Sequence, residues 1–378
     1  MIEQLLAIVR NTYFESIRQP VALVVVVTAG LLILLSNPLS AFTMEDDHRM
    51  LLDIGLATIF AAGAILAAFI ATNVIGDEIE NKTALTVVSK PVGRPIFVIG
   101  KFLGVGGALL TCVLALAMVF LLVEMHGVRE RTMDPYHLPV IFIGSAAAIA
   151  GTVVAVWCNY FYNKSFASTS IAITTPLLLL AYVICMNFEH DFTPQAMSIA
   201  FRFDLWKALI PLGMAILVLT AIAVAASTRL GQVMTLTITL GMFLLGMLAD
   251  WFFGRPINAM QQLWTRRARE EGLTEQVETV REITTTYGET IRDDPRVVDV
   301  ATVPLTQMAE GAELIQYALY KIGYAALPNI QVLWLADALT QRHVIPTSYL
   351  LQACLYGGLY IVMALCAGII LFQRREVG

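Results

Sequence analysis

The chain has 378 residues, of which 58% are hydrophobic and 14% charged, and its mean hydropathy is +0.73. Soluble globular chains carry about a quarter charged residues, so this composition excludes a water-coated globule and predicts an integral membrane protein. The net charge of −5, with the 24 Lys and Arg in small groups between apolar blocks, excludes a nucleic-acid-binding stripe.

At the start, Ile2, Leu5, Leu6, Val9, Tyr13 and Ile17 recur at helical spacing opposite Glu3, Gln4, Arg10, Asn11 and Arg18. Residues 1–19 are therefore expected to form an amphipathic helix in the inner membrane interface. No basic stretch leads directly into an apolar core with a small-residue cleavage site, so no cleaved signal is expected.

A membrane-crossing helix needs roughly 20 mostly apolar residues. Eight blocks reach or approach that length: Pro20–Ser36, Ile54–Ile75, Phe102–Val123, Leu138–Phe161, Phe166–Phe188, Trp206–Ser227, Gln232–Phe253 and Pro346–Phe372. The first seven occupy 20–253, and the last lies in 346–378 with a short tail. An even number places both termini on one side.

Basic residues choose that side. With the N-terminus inside, ten fall in cytoplasmic positions (Arg10, Arg18, Lys82, Lys90, Arg94, Lys101, Lys164, Arg229, Arg374, Arg375) against five in the opposite short loops (Arg49, Arg129, Arg131, Arg202, Lys207). The expectation is a multi-pass protein of the cell (inner or plasma) membrane with both termini cytoplasmic. Ala147–Ile184 and Leu219–Asp250 share a pattern, a small-residue-rich span, a link with one basic residue and a Leu-rich span, which hints at a duplicated hairpin.

In this scheme residues 254–345 are extracytoplasmic. Arg266–Glu271, then Leu273, Val277, Val280 and Ile283 three or four apart, predict one or two amphipathic helices ended by Asp293-Asp294-Pro295. The apolar but proline-broken Leu314–Leu339 predicts a shallow re-entrant or interfacial element. The fold class is thus an all-α membrane protein: a polytopic bundle of about eight transmembrane helices, an N-terminal interfacial helix, and a helical extracytoplasmic insert before the last span.

Catalytic signatures are lacking. The five cysteines (Cys112, Cys158, Cys185, Cys354, Cys366) lie inside apolar blocks without C-x-x-C spacing and read as small buried hydrophobes. There is no G-x-x-x-x-G-K-[ST], H-E-x-x-H or G-x-S-x-G, and His48, His126, His137, His190 and His343 are scattered without metal-ligand spacing. No catalytic residue, cofactor or metal site is assigned, and the chain is not read as an enzyme.

Ion-coupled carriers generally keep an ionisable group near mid-bilayer. Here Asp53, Glu124, Lys207 and Asp250 all fall at span ends, so energy for uphill transport is expected to enter from outside the spans. An ion-coupled secondary transporter using Asn73, Thr174, Thr175 or Gln352 remains an alternative, although hydrogen bonds within and between helices are the commoner use of such residues.

The substantial cytoplasmic loop is 77–101. Its acidic start (Asp77, Glu78, Glu80), the apolar side formed by Ala84, Leu85 and Val88, and the stop at Pro91 and Gly93 predict a two-turn helix lying across the membrane surface. A short rigid helix between two long ones can relay push and rotation from a docked protein. A solvated acidic face with basic topological anchors accounts for the same composition.

The run Glu78-x-Glu80-x-x-Thr83, then Ser89-Lys90-Pro91-Val92-Gly93-Arg94 and Gly100-Lys101, resembles the first cytoplasmic loop of ABC-2 type transporter permeases. Ala325-Ala326-Leu327-Pro328-Asn329, Tyr356-Gly357-Gly358-Leu359-Tyr360 and Phe372-Gln373-Arg374-Arg375-Glu376 are similar to the end of the same family, notably its copper-enzyme-maturation and gliding-motility permeases. The resemblance implies the permease subunit of an exporter, a homodimer or heterodimer of such subunits, and ATP handled by a separate cytoplasmic ABC ATPase. It implies that Glu78 and Glu80 sit at the docking groove, that Thr83–Ser89, including Leu85, forms the coupling helix, and that Pro91 and Arg94 belong to the turn after it. Eight spans against the family's usual six, and the length of the 254–345 insert, depart from its pattern. A non-transporting scaffold whose outer helices Gln261–Arg292 bind an extracytoplasmic partner is a further alternative.

Overall fold

Apolar runs in a bilayer find no water for their amides, so the backbone closes its hydrogen bonds inside helices. The computed structural model describes residues 2–41, 46–80, 93–129, 134–279, 282–284, 290–292, 296–341 and 343–373, most of them helical. In chain order these are α1 (Ile2–Ile17), α2 (Pro20–Ser40), α3 (Asp47–Glu80) and α4 (Arg94–His126). A π-helical turn (Val140–Gly144) runs into α5 (Ser145–Tyr162), followed by α6 (Phe166–Cys185), the short α7 (Met197–Ala200), α8 (Phe203–Ser227) and α9 (Gln232–Met247). The chain then bends by 53° after Met247 into a second π-helical turn (Asp250–Gly254) that runs on as α10 (Arg255–Glu270). Further on come α11 (Glu313–Ala326), α12 (Ala336–Thr340) and α13 (Thr347–Gln373).

Seven of these helices are long and apolar enough to cross a membrane, or eight if the bent α9–α10 pair is one span. The eight apolar blocks read from the sequence fall on them, and the chain is a helical multi-pass membrane protein. The apolar windows of α3, α4 and α8 are 67, 72 and 78% buried, against 22, 17 and 28% for α2, α5 and α13. The first three therefore form the centre and the others the periphery. Missing side chains set the spacing between them: a β-carbon on Gly55 would lie 2.3 Å from the Phe120 ring, and one on Gly63 2.2 Å from Ile216. Among the cysteines, Cys112 and Cys185 are buried as expected, whereas Cys366 is exposed on α13.

Contacts define two ends of the bundle. At one, α1 lies beside the start of α4, Arg94 reaches the carbonyl of Gln373 in α13, and Asn73 of α3 meets Gln232 of α9. Both described termini are here. At the other, Asn37 donates to the Gly127 carbonyl (2.7 Å), Arg202 pairs with Glu124, and the Leu138 amide donates to the His190 carbonyl (2.9 Å).

The insert differs from expectation. Helix α10 stops at Glu270, Gly272 takes a left-handed φ of 70°, and four strands follow: β1 (Thr274–Thr279), β2 (Glu282–Thr284), β3 (Thr290–Arg292) and β4 (Arg296–Ala301). Strand β1 pairs antiparallel with β4, Val277 opposite Val298, and β2 pairs with β3, Ile283 opposite Ile291. The predicted helices over 274–292 are thus replaced by an extended antiparallel arm. The Thr, Val and Ile residues that fill it carry branched β-carbons, which fit a pleated strand better than a helix. The proline-broken segment does turn inward: after α11, Asn329 caps a 3₁₀ turn (Ile330–Leu333) whose Ile330 and Leu333 are buried against α8 and α9.

Candidate functional site

Helix α3 has 34 residues and α4 has 33. At 1.5 Å per residue each is roughly 50 Å long, well beyond the ~30 Å of a hydrocarbon core. In α3 the excess lies at the end that carries the termini, past a span of Asp47–Asn73. Asn73 is level with the start of α9, because its Oδ1 accepts from Gln232 Nε2 and its Nδ2 donates to Gln19 Oε1 at 3.4 Å. From there α3 continues helically to Glu80, a further seven residues or about 10 Å. Helix α4 starts again at Arg94, with Gly93 at its N-cap and Pro95 in the first turn, where a missing amide hydrogen costs nothing.

Of the residues assigned to this site by sequence, Glu78 and Glu80 sit in the last turns of α3, with side chains outside the described set. Thr83, Leu85 and Pro91, and with them the predicted coupling helix, lie outside the described residues. Arg94 is described: its Nη1 donates to the Gln373 carbonyl at 2.7 Å, capping the C-terminal end of α13. One turn further, Phe97 stacks on Phe372 with ring centres 5.7 Å apart.

The base of the loop is braced on its other side by α1. A β-carbon on Gly100 would lie 2.7 Å from Ile8 Cγ2, and one on Gly104 2.5 Å from Thr12 Cβ and 2.8 Å from the Val9 carbonyl. Between these glycines Lys101 is 2% exposed, with Nζ 3.6 Å from Glu15 Oε2 and lying over the Phe97 ring. Further along, Tyr13 Oη and Thr111 Oγ1 share a hydrogen bond of 3.2 Å. Helix α1 therefore runs along α4, and the side it buries includes Thr12 and Ser16, while Ile2 and Leu6 of its predicted apolar face are exposed. Its closest approach follows the gap left by two glycines rather than its most apolar stripe.

The contacts that sequence reasoning missed, Glu15 to Lys101, Gln19 and Gln232 to Asn73, and Arg229 Nε to the Leu371 carbonyl (2.8 Å), all join α1, α9 or α13 to the helices that carry the loop. The Gly100/Gly104 spacing was the available signal for the first. The end of α3 and the start of α4 are thus tied to both the first and last helices of the chain.

The polar positions considered for an ion are engaged or dispersed. Asn73 is bonded as described, Thr175 donates back to the Ile171 carbonyl at 2.7 Å, Thr174 packs where Gly151 leaves no room for a side chain, and Gln352 is exposed on α13. At the far end, burial lowers the His137 pKa from its ordinary value, helped by the nearby His126 and His190. Glu189, His190 and Asp191 bring ligand atoms within 4.8 Å on one exposed turn, where Asp191 Oδ1 already accepts from the Thr193 hydroxyl at 2.7 Å.

Comparison of the chain with protein-family models, with curated proteins and with solved structures finds no match.

Proposed function

We propose that the chain is the membrane-spanning permease subunit of an ABC-2 type ATP-driven transporter, working as an exporter in a homodimer or heterodimer. A separate cytoplasmic ATPase docks on loop 77–101, with the end that carries both termini facing the cytoplasm. The observation that carries this reading is the continuation of α3 about 10 Å past the Asn73–Gln232 level, which brings the Glu78-x-Glu80 run out beyond the start of α9. The bracing by α1 and α13 supports it, because a lever moves its load only if its base is stiff. The Glu78-x-Glu80-x-x-Thr83 and Lys90-Pro91-Val92-Gly93-Arg94 runs supply the family resemblance. ATP is bound and hydrolysed on the partner.

The test is affinity purification of the full chain from its native membrane, wild type against the Glu78→Lys/Glu80→Lys variant. The expected result is an ATPase with a Walker motif that accompanies the wild type and is lost from the variant, with the variant's thermal unfolding unchanged. Purification of a fully transport-active wild type with no such companion overturns the proposal.

A further inference from the structure

Beside this lever, at the same end of the bundle, lies a cavity of about 690 Å³ between the C-terminal half of α1, the end of α5 and the first turns of α6. Its charged lining residues are both cations, Arg18 and Lys164, and neither has an ion-pair partner among the described residues. No Asp or Glu lines it. Neutral donors complete the polar wall: Asn159 donates to the Lys164 carbonyl at 2.7 Å and so holds the link closed, and the Ser165 and Ser168 hydroxyls bond to each other at the start of α6. No side chain caps the first turn of α6, so its amides and dipole add positive potential to that of the two cations. Asn163 and Thr169 add to this polar side, and Phe14, Ile17 and Ile173 form an apolar one.

The depth of the cavity is fixed by helix length. A β-carbon on Gly144 would lie 3.6 Å from Leu122 Cδ1, near the Glu124–Arg202 pair of the far end. The 18 residues of α5 then descend roughly 27 Å to Asn163, close to the thickness of a hydrocarbon core. With the far ion pair at one membrane boundary, the cavity lies at the other, where phospholipid headgroups are.

We propose that this cavity seats a phosphate group, with Arg18 and Lys164 as its counter-charges. The apolar wall and the boundary position favour a phospholipid headgroup over a free phosphate. Basic pockets between membrane helices are the ordinary setting for such recognition.

The test uses the full chain in nanodiscs of phosphatidylcholine with and without phosphatidylglycerol. Retained lipid is read by native mass spectrometry, and binding of inorganic phosphate by calorimetry. The wild type is expected to retain phosphatidylglycerol, and Arg18→Gln/Lys164→Gln to retain about tenfold less. The charge-preserving Arg18→Lys/Lys164→Arg should behave as wild type, and so should Arg229→Gln, a cation at the same end that is bonded elsewhere. Phosphate binding in phosphatidylcholine alone, lost in the double Gln variant, would support the site with a soluble source. Equal retention in wild type and the double Gln variant without phosphate binding overturns the proposal. So does an equal loss in Arg229→Gln, which would mean surface charge in general, or in Arg18→Lys/Lys164→Arg, which would mean packing rather than charge.

Discussion

Lys101 Nζ lies 3.6 Å from Glu15 Oε2, and this contact ties the first helix of the chain to the first turns of α4. The two ends of the pair are unequal: the lysine side chain is 2% exposed and the glutamate 38%. The paired Glu15 Oε2 is itself buried, so water screens the contact little. Glu15→Gln keeps the shape of the side chain and removes its charge, and is expected to destabilise the protein by about 1–3 kcal/mol. Thermal unfolding of the variant in detergent checks this, and an unchanged unfolding temperature refutes the account of the pair.

Gly104 and Gly241 make opposite predictions for the same substitution. Gly104→Ala places a β-carbon 2.5 Å from Thr12 and 2.8 Å from a backbone carbonyl that cannot swing away, so α1 must shift. A loss of about 1–3 kcal/mol is expected, along with faster proteolysis within 1–19. Around Gly241 nothing lies within 4 Å, and alanine there should gain up to about 1 kcal/mol from helix propensity. Limited proteolysis with mass spectrometry and thermal unfolding separate the two.

The insert should open in acid. Glu313 accepts from Arg267, from the Glu310 amide and from Trp264 Nε1, and these bonds, the Arg267 guanidinium first, hold its carboxyl down at about 2. A carboxyl whose pKa is lower when folded than the ordinary 4.5 stabilises the fold in full above that value and loses its contribution as the pH falls toward about 2. Tryptophan emission followed from neutral pH downward should show a transition in that window. The transition should vanish in Trp264→Phe and be replaced by a constantly open signal in Glu313→Gln; a transition that persists unchanged in Glu313→Gln refutes the assignment.

At the far end, Arg202 is the counter-charge of the buried Glu124. Arg202→Ala should cost about 3–5 kcal/mol, the usual penalty for stranding a buried charge. Glu124→Gln added to it should restore most of the loss, since a neutral amide needs no counter-charge. Equal instability of the single and double variants, measured by thermal unfolding, would show that Arg202 acts through packing instead.

The membrane helices were legible because a hydrocarbon layer imposes one length and one composition, and blocks such as Phe203–Ser227 satisfy both over 25 residues. The strands were not, because Leu273, Val277, Val280 and Ile283 fit a helical period as well as their branched side chains fit a sheet. Gly272, with its left-handed backbone, was the punctuation that distinguishes the two. The face by which α1 docks was hidden for a different reason. An amphipathic pattern reports where water is, and here the choice lay between lipid and protein, two apolar surroundings that Gly100 and Gly104 decide by leaving room. Pairs such as Arg267 with Glu313 join residues 46 apart and exist only once the chain has folded back.

The β-carbon that Gly246 lacks would stand 2.7 Å from the Pro328 carbonyl and from Ile330 Cδ1, so the chain leaves α9 and comes back to touch it at almost the same spot. Everything between is therefore a cassette with a narrow doorway. A bridge of a few glycines and serines across that gap should let the whole excursion be excised while the helices packed around α8 keep their places, and a foreign module with close termini should be accepted there instead.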